Sequence, residues 1–556
     1  MSNTESNIRS VNKLLEESFR RNWDYPALSD YGGETLSYGQ LATRIAWLHL
    51  FFKEAGIRKG DKIALCSRNQ TYWAVTYLAA MTYGAVVVPI LHEFKPANIA
   101  HLVDHSDSKI LFVGGRVWDN VIYEDFSSLD AVVSFPGYEV VQANKSTVMK
   151  ARERIDRKFE EKYPHGYAAE DIDYYLDRPS NLALISYTSG TSGFSKGVMI
   201  PSRALFSNLV FAKEVEPQMD HRSNMLSILP SAHMFGMLFE FLFEMTIGAH
   251  VHFLTRLPSP RILLGAFSEI KPDVIVTVPM ILEKLYKNTI LPAINKRVNR
   301  LLLNVPVMDQ IVFGKIKDRL KEALGGNFKE VIIGGAPFNR EVEHLLYKIN
   351  FPYTVGYGMT ECAPIITFVP SECIRLYSCG KPTPRMSVKI DSRDPLAIPG
   401  EILVKGDNVF TGYYKNEKAT AAAFTRDGWF HTGDVGVFDK DGYLYIKGRK
   451  KSMILGPSGQ NIYPEEIESV IDNIDVVMES LVIEDNGSLV ALVYPDIRKM
   501  NVEQLSQGEL DEKCRELMAE INGQLPKYSR ISSVELVPEE FDKTPKHSIK
   551  RYLYQR

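Results

Sequence analysis

From residue 36 to residue 114 the chain alternates between two periods. Helix-periodic segments at 38–55, 73–81 and 96–104 separate short apolar runs at 62–65, 85–89 and 109–113. Apolar runs this short read as buried strands, and strands separated by helices pair as parallel neighbours through crossover connections. The alternation predicts an α/β fold built on βαβ units and a mostly parallel sheet. Ahead of it, Val11, Leu14, Leu15 and Phe19 share one face of an amphipathic helix. A chain of 556 residues also exceeds what one core usually serves, so at least two domains are expected.

A further apolar run, Leu182 to Ile185, leads into Tyr187-Thr188-Ser189-Gly190-Thr191-Ser192-Gly193-Phe194-Ser195-Lys196-Gly197. Glycines permit the positive φ angles that turn successive backbone N–H groups inward into an anion-binding nest. The hydroxyls add donors, and Lys196 adds a point charge able to reach a polyphosphate. A solvated linker would need neither the preceding strand nor a lysine at this place. The glycine spacing, G-x-x-G-x-x-K-G, is not that of a Walker P-loop. The stretch therefore reads as a phosphate loop of another kind, leaving a buried strand.

Downstream, a helix is expected at 203–213 and a strand at 226–230 that runs into Ser231-Ala232-His233-Met234-Phe235-Gly236. Val331-Ile332-Ile333 is a buried strand ending in Gly334-Gly335-Ala336-Pro337, and another at 353–356 ends in Tyr357-Gly358-Met359-Thr360-Glu361. Beyond Pro382 the texture changes to short β-type segments punctuated by Asp-Gly pairs, a β-rich subdomain that contains Trp429-Phe430-His431-Thr432-Gly433-Asp434. The basic tetrad Gly448-Arg449-Lys450-Lys451 follows. After it comes a tail with its own α+β pattern, with helices at 464–472 and 510–521 and strands at 480–483 and 489–494. The domain boundary is set at the tetrad: 1–449 is a large N-terminal domain and 450–556 a small C-terminal one. Residues 131–178 are polar, with weak periodicity, and yield no assignment.

Several classes of function are excluded by bulk properties. A net charge of −3 provides no surplus of basic residues for nucleic acid. Five cysteines lack metal-ligand spacing and suit a reducing compartment. Met1 to Asn7 is polar, without the apolar core of a secretory signal. The most apolar stretch, 235–254, is interrupted by Glu240, Glu244 and two histidines, short of a membrane span. A cytoplasmic chain is expected, with weak peripheral membrane contact left open.

The phosphate-loop stretch resembles that of the adenylate-forming superfamily, which includes acyl-CoA synthetases, firefly luciferase and peptide-synthetase adenylation domains. Its usual form is Y-T-S-G-T-T-G-x-P-K-G; here Ser192 replaces a threonine and Ser195 a proline. The other motifs match the same superfamily in the expected order, and their joint occurrence makes the resemblance specific. It implies that Thr188, Ser189, Gly190, Thr191, Ser192, Gly193 and Lys196 hold the phosphates of ATP. Gly334, Gly335, Ala336 and Pro337 would border the adenine, at a strand's carboxyl end where open α/β sheets bind ligands. Tyr357, followed by Gly358, would stack on the base, Thr360 would donate to the α-phosphate, and Glu361 would bind Mg²⁺, a hard cation that prefers oxygen. Asp434 and Arg449 would hold the ribose, and Lys451 would be the hinge about which the small domain rotates. Gly456, in Gly456-Pro457-Ser458-Gly459, would lie on the loop brought in for the thioester step.

The segment around His233 resembles one in fatty acyl-CoA synthetases that borders the carboxylate, so His233 reads as a positioning residue. The apolar run beginning at Phe235 reads either as an acyl-tunnel wall or as core packing. Taken together the chain is similar to a long-chain fatty acid–CoA ligase, with ATP, Mg²⁺, CoA and a fatty acid as the implied ligands. A ligase acting on acyl carrier protein or stopping at the acyl-adenylate is the alternative, as is a catalytically impaired binding homologue. The last rests on one departure. Most members end in a segment like P-K-T-x-x-G-K-I whose lysine enters the site during adenylation. Here Thr544, Ile549 and Arg551 set a register that puts Ser548 at that lysine, with Lys546 and Lys550 flanking it and Lys546 the expected substitute.

Overall fold

The computed structural model describes residues 9–122, 124–188, 196–256, 259–294, 308–455, 461–500, 505–544 and 549–556. Parallel pairing occurs where the alternation predicts it. Val86–Ile90, Lys62–Cys66, Ser108–Gly114 and Ala131–Phe135 lie side by side and parallel, and Leu182–Thr188 adds to the far side of Val86–Ile90. Antiparallel strands complete the sheet: Glu139–Ala143 at one edge, Lys196–Pro201 and then Gly412–Tyr413 at the other. All five residues of Val86–Ile90 are buried, because helices cover both faces of a parallel sheet. The helix Tyr38–Glu54 starts at a capping box in which Ser37 and Gln40 satisfy each other's backbone N–H groups.

Two smaller sheets carry the rest of the large unit's parallel strands. Asn224–Ser227, His250–Phe253 and Pro26–Asp30 pair in parallel, with Thr35–Ser37 antiparallel at the edge. Ile275–Thr277, Val331–Ile333 and Tyr353–Val355 form a second parallel set. A β-rich layer follows, in the order Met386–Asp391, Gly400–Gly406, Phe430–Phe438, Leu444–Arg449. The tail packs Pro464–Ile471 and Gln507–Gln524 on a sheet of Val477–Asp485, Ser488–Pro495 and Ser533–Leu536, around an apolar cluster of its own that includes Ile467, Ile471, Val482, Leu517 and Ile521. It touches the large unit beside the Gly334–Pro337 turn, where Lys287 Nζ donates to the Asp472 carbonyl at 3.1 Å and Arg340 lies 3.7 Å from Glu466.

Two local readings change. The glycine-rich stretch is not wholly a loop: the first strand runs on through Thr188, and Lys196 opens its antiparallel partner, with Thr188 opposite Lys196. The polar region without an assignment contains Ala131–Phe135, Glu139–Ala143 and the helix Ser146–Lys162. Glu139–Ala143 is an edge strand with little buried surface, and the helix buries only Val148, Ala151 and Ile155, so neither needs a strong apolar period. Among the described residues no helix is long and apolar enough to cross a membrane.

Candidate active site

Four of the segments singled out above leave the carboxyl ends of parallel strands: Thr188 ends Leu182–Thr188, His233 follows Asn224–Ser227, Gly334 follows Val331–Ile333, and Tyr357 follows Tyr353–Val355. That is where open α/β sheets bind ligands, since loops alone cover the strand ends there.

Lys196 lies with its Nζ 4.7 Å above the ring of Tyr413, whose hydroxyl donates to Glu361 Oε1 at 3.1 Å. A cation over an aromatic face is electrostatically favourable. Tyr413 thus bridges the phosphate-loop lysine and the candidate metal carboxylate, two groups 165 positions apart in the chain (361 − 196). Burial, with Glu361 beside it, pushes the Tyr413 hydroxyl well up, so it stays a donor. The pairing follows from topology, because Gly412–Tyr413 extends the sheet along Lys196–Pro201. Glu361 is buried, and its carbonyl accepts from the Phe410 N–H at 2.9 Å. No group of three His, Cys, Asp or Glu able to hold a metal occurs among the described residues. A single carboxylate fits Mg²⁺, which is bound by one or two carboxylates together with substrate phosphates.

A second cluster joins the candidate base and ribose segments. The buried Tyr357 hydroxyl donates to Asp434 Oδ2 at 2.7 Å, and Arg449 Nε lies 3.4 Å from Asp434 Oδ1. Asp434 and Arg449 face each other directly in the antiparallel pair of Phe430–Phe438 with Leu444–Arg449. Burial pushes the Asp434 carboxyl up, against the pull of Arg449 and of the Tyr357 hydroxyl. Gly335 (φ +88°), Ala336 and Pro337 form an exposed turn nearby in the chain fold, and a side chain on Gly335 would be strained there.

Thr360 is where polar and apolar surfaces meet. With Gly358, Met359, Gly334, Gly335 and His233 it borders a cavity that continues between Phe211, Val215, Met219, Met225, Phe235, Phe239 and Phe243. Gly358 is required: a β-carbon there would lie 2.2 Å from the Pro364 carbonyl oxygen, closing the contact through which the Met359 N–H donates to that oxygen. His233 precedes the helix Met234–Met237, and its loop is held by Asn69, which donates to the Leu229 carbonyl at 2.6 Å and accepts from the Ser231 N–H at 2.7 Å. The apolar run has two faces. Phe235, Phe239 and Phe243 line the cavity, while Leu238, Phe241 and Leu242 are buried in the core. A π-helical turn at Leu238–Leu242 lies in the middle of the run, a feature common at functional sites.

Lys450 and Lys451 differ in how they are held. The Lys450 N–H donates to the Gly433 carbonyl at 2.9 Å and its Nζ lies 2.8 Å from Glu401, which also accepts from His431. Lys451 is exposed in the turn that follows. Ser189, Gly190, Thr191, Ser192, Gly193, Gly456, Lys546 and Ser548 lie outside the described residues. The two ends of the last segment are described: Lys543 bridges to Ile549, and the Lys550 N–H donates to the Asp542 carbonyl at 2.8 Å.

Sequence reasoning missed Tyr413 and Glu401. Gly412-Tyr413-Tyr414 offered an aromatic pair after glycine as a signal, but nothing local relates it to Lys196. Glu401 is a buried acid in a strand that continues with Ile402, Leu403 and Val404, the kind of charge that needs a partner.

The profile of the AMP-binding enzyme family matches residues 15–414, and that of the AMP-binding enzyme C-terminal domain matches residues 451–556. The chain is 28% identical over 489 residues to the long-chain-fatty-acid–CoA ligase FadD15 of Mycobacterium bovis, covering 83% of this chain and 77% of that one. It is 28% identical over 485 residues to the long-chain-fatty-acid–CoA ligase of Escherichia coli O6:H1, covering 83% and 81%. Its fold superposes on the o-succinylbenzoate coenzyme A synthetase of Bacillus subtilis, solved with ATP and a magnesium ion, with a TM-score of 0.73 at 22% identity over 97% of this chain and 98% of that one.

Proposed function

The chain belongs to the AMP-binding enzyme family, and from that premise we propose that it is an ATP-dependent acid–thiol ligase that converts a fatty acid to its CoA thioester through an acyl-adenylate. The single observation that carries this reading is at Thr360. One neighbour in sequence, Glu361, connects through Tyr413 to Lys196, and another, Met359, lines the apolar cavity. An acid whose chain lies in that cavity would have its carboxylate beside the phosphate-binding groups. The relatives named as long-chain-fatty-acid–CoA ligases support the same substrate class.

In this reading the carboxylate oxygen attacks the α-phosphorus of ATP and pyrophosphate leaves; the thiol of CoA then attacks the acyl carbon and AMP leaves. Both steps need alignment and charge stabilisation more than covalent help from the protein. Lys196 and the Thr360 hydroxyl stabilise charge on the phosphoryl oxygens, Asp434 and Arg449 hold the ribose, and His233 orients the acid at the cavity mouth. Glu361 would hold Mg²⁺, which neutralises phosphate charge. Lys450, expected to open the small domain, is held to the large one through Glu401 and Gly433, so in this reading Lys451 is the first residue able to act as a pivot.

The test is AMP and pyrophosphate release across acids from short to long chain, with CoA present and absent. The reading expects CoA-dependent thioester from long-chain acids; no AMP with any acid would overturn it. One observation favours an impaired homologue as a second reading: Ser548 stands where most members have the lysine of the adenylation step. That reading expects acid and ATP binding without AMP release.

A further inference from the structure

One wall of the acyl cavity ends in an acid. The helical run that starts beside His233 at the mouth carries Phe235, Phe239 and Phe243 along the cavity and then Glu244, which also lines it. Glu244 lies eleven positions after His233, at most about 16 Å at the α-helical rise. The strands agree on the direction. Met225 lines the cavity near the start of its strand and Val274 just before the start of Ile275–Thr277, whereas Gly334 lines it just past the carboxyl end of its own strand. Glu244 therefore belongs to the far end, with Met219 and Met225.

Glu244 has no exposure, and among the described residues neither carboxyl oxygen has a hydrogen-bond partner beyond its own backbone N–H. Burial, with Glu240 adding to it, holds the carboxyl well above the ordinary carboxylate range, which favours the protonated form, and both of its oxygens lack a side-chain partner among the described residues. The other acids nearby have structural work. Glu240, one turn earlier, accepts from the Leu229 N–H at 2.9 Å and the Ser227 hydroxyl at 3.2 Å, fixing the helix to the loop before His233. Glu216, on the cavity wall, is paired with Lys329 at 3.2 Å and accepts from Gln218. Glu244 has neither kind of partner, and an aliphatic chain end would leave its hydrogen-bonding capacity unused in an apolar surrounding, where that is most costly.

We propose that Glu244 is a specificity-determining residue, and that the cavity accepts carboxylic acids carrying a hydroxyl at the end of the chain remote from the carboxylate. The hydroxyl donates to one carboxyl oxygen and accepts from the other. A charged terminus is disfavoured, because it would be desolvated among the phenylalanines and methionines. This inference rests on the acid–thiol ligase reading.

The experiment measures kcat/KM for AMP release with unsubstituted and ω-hydroxy fatty acids of matched length, from eight to sixteen carbons. In the wild-type protein the ratio of ω-hydroxy to plain acid should peak at roughly 12 carbons or fewer, the reach implied by a separation of at most about 16 Å, and exceed about tenfold there. Glu244→Leu should collapse the ratio below one while improving the plain acid. Glu244→Gln, which keeps a donor and an acceptor, should retain most of it. A wild-type ratio at or below one for every length overturns the proposal without any variant having to fold, as does a peak that Glu244→Leu leaves in place. Either result with plain acids still releasing AMP leaves the ligase reading intact; no AMP from any acid fails that reading instead.

Discussion

Tyr357 donates its hydroxyl to Asp434 Oδ2 at 2.7 Å across 77 positions of sequence, inside the protein. Arg449 reaches the other carboxyl oxygen at 3.4 Å from the surface side. The aspartate is thus held from two directions, and a ribose bound there, as proposed, would meet a fixed acceptor.

Asp434→Ala removes that acceptor and strands the buried Tyr357 hydroxyl. A hydrogen bond to a charged group contributes about 1.5–3 kcal/mol, so ATP affinity should fall roughly 10- to 100-fold, with a lower melting temperature as well. Acid binding should hold. Unchanged ATP affinity by calorimetry would remove the ribose role.

Lys196→Ala should lower acyl-adenylate formation about 10²–10³-fold, because its charge counts most as pyrophosphate leaves. Tyr413 separates its two contacts. Tyr413→Phe keeps the ring under Lys196 and loses only the donor to Glu361, so its effect should stay within about tenfold. Tyr413→Ala loses both contacts and should approach Lys196→Ala. If pyrophosphate exchange survives Lys196→Ala within a few-fold, the assigned role is wrong.

Lys451→Pro fixes φ near about −65° and removes an N–H, just after a residue tied down through Glu401. Thioester formation should suffer more than adenylation. Wild-type reaction of supplied acyl-adenylate with CoA in this variant would move the pivot elsewhere.

Ser548→Lys restores a charge-assisted donor at the tail position and should speed adenylation, by up to about 10²–10³-fold if the lysine reaches the site. Lys546→Ala should slow it in the present sequence. Thioester formation from supplied acyl-adenylate should change in neither. No effect of Ser548→Lys, Lys546→Ala or Lys550→Ala on adenylation would mean that a tail lysine takes no part.

Burial pushes the Glu343 carboxyl up to about 7, although it accepts from the Tyr377 N–H at 2.7 Å. Between the ordinary glutamate value and about 7 the folded state holds a proton that the unfolded state has released, so stability falls as pH rises through that window and levels off above it. Glu343→Gln keeps an acceptor for Tyr377 and does not titrate. Its stability relative to wild type should therefore grow from pH 5 to pH 8, by on the order of 3 kcal/mol at most. Denaturant midpoints that keep the same difference at both pH values would contradict the shift.

The sequence by itself determined the βαβ core, the order of the motifs and the residue types at the candidate phosphate, base and ribose segments. These are local properties: apolar period, turn chemistry, and hydroxyls, glycines and charges at short spacing. Val86–Ile90 is legible because both its faces are buried, so five neighbouring side chains are all apolar. The edge strand Glu139–Ala143 is not, because none of its residues is buried and so none has to be strongly apolar.

Tertiary structure alone decided which of the motif residues touch and what stands between them. Tyr413 reaches Lys196 because a two-residue strand pairs with Lys196–Pro201 from more than 200 positions away, a register that no local pattern encodes. The same holds for Glu240 and Glu244. In sequence both are simply charges that interrupt an apolar run, but one meets the Leu229 N–H and the other lines the cavity with no such partner. Side-chain type is written in the chain; the partner, and so the protonation and chemistry of a buried acid, depends on what the fold packs against it.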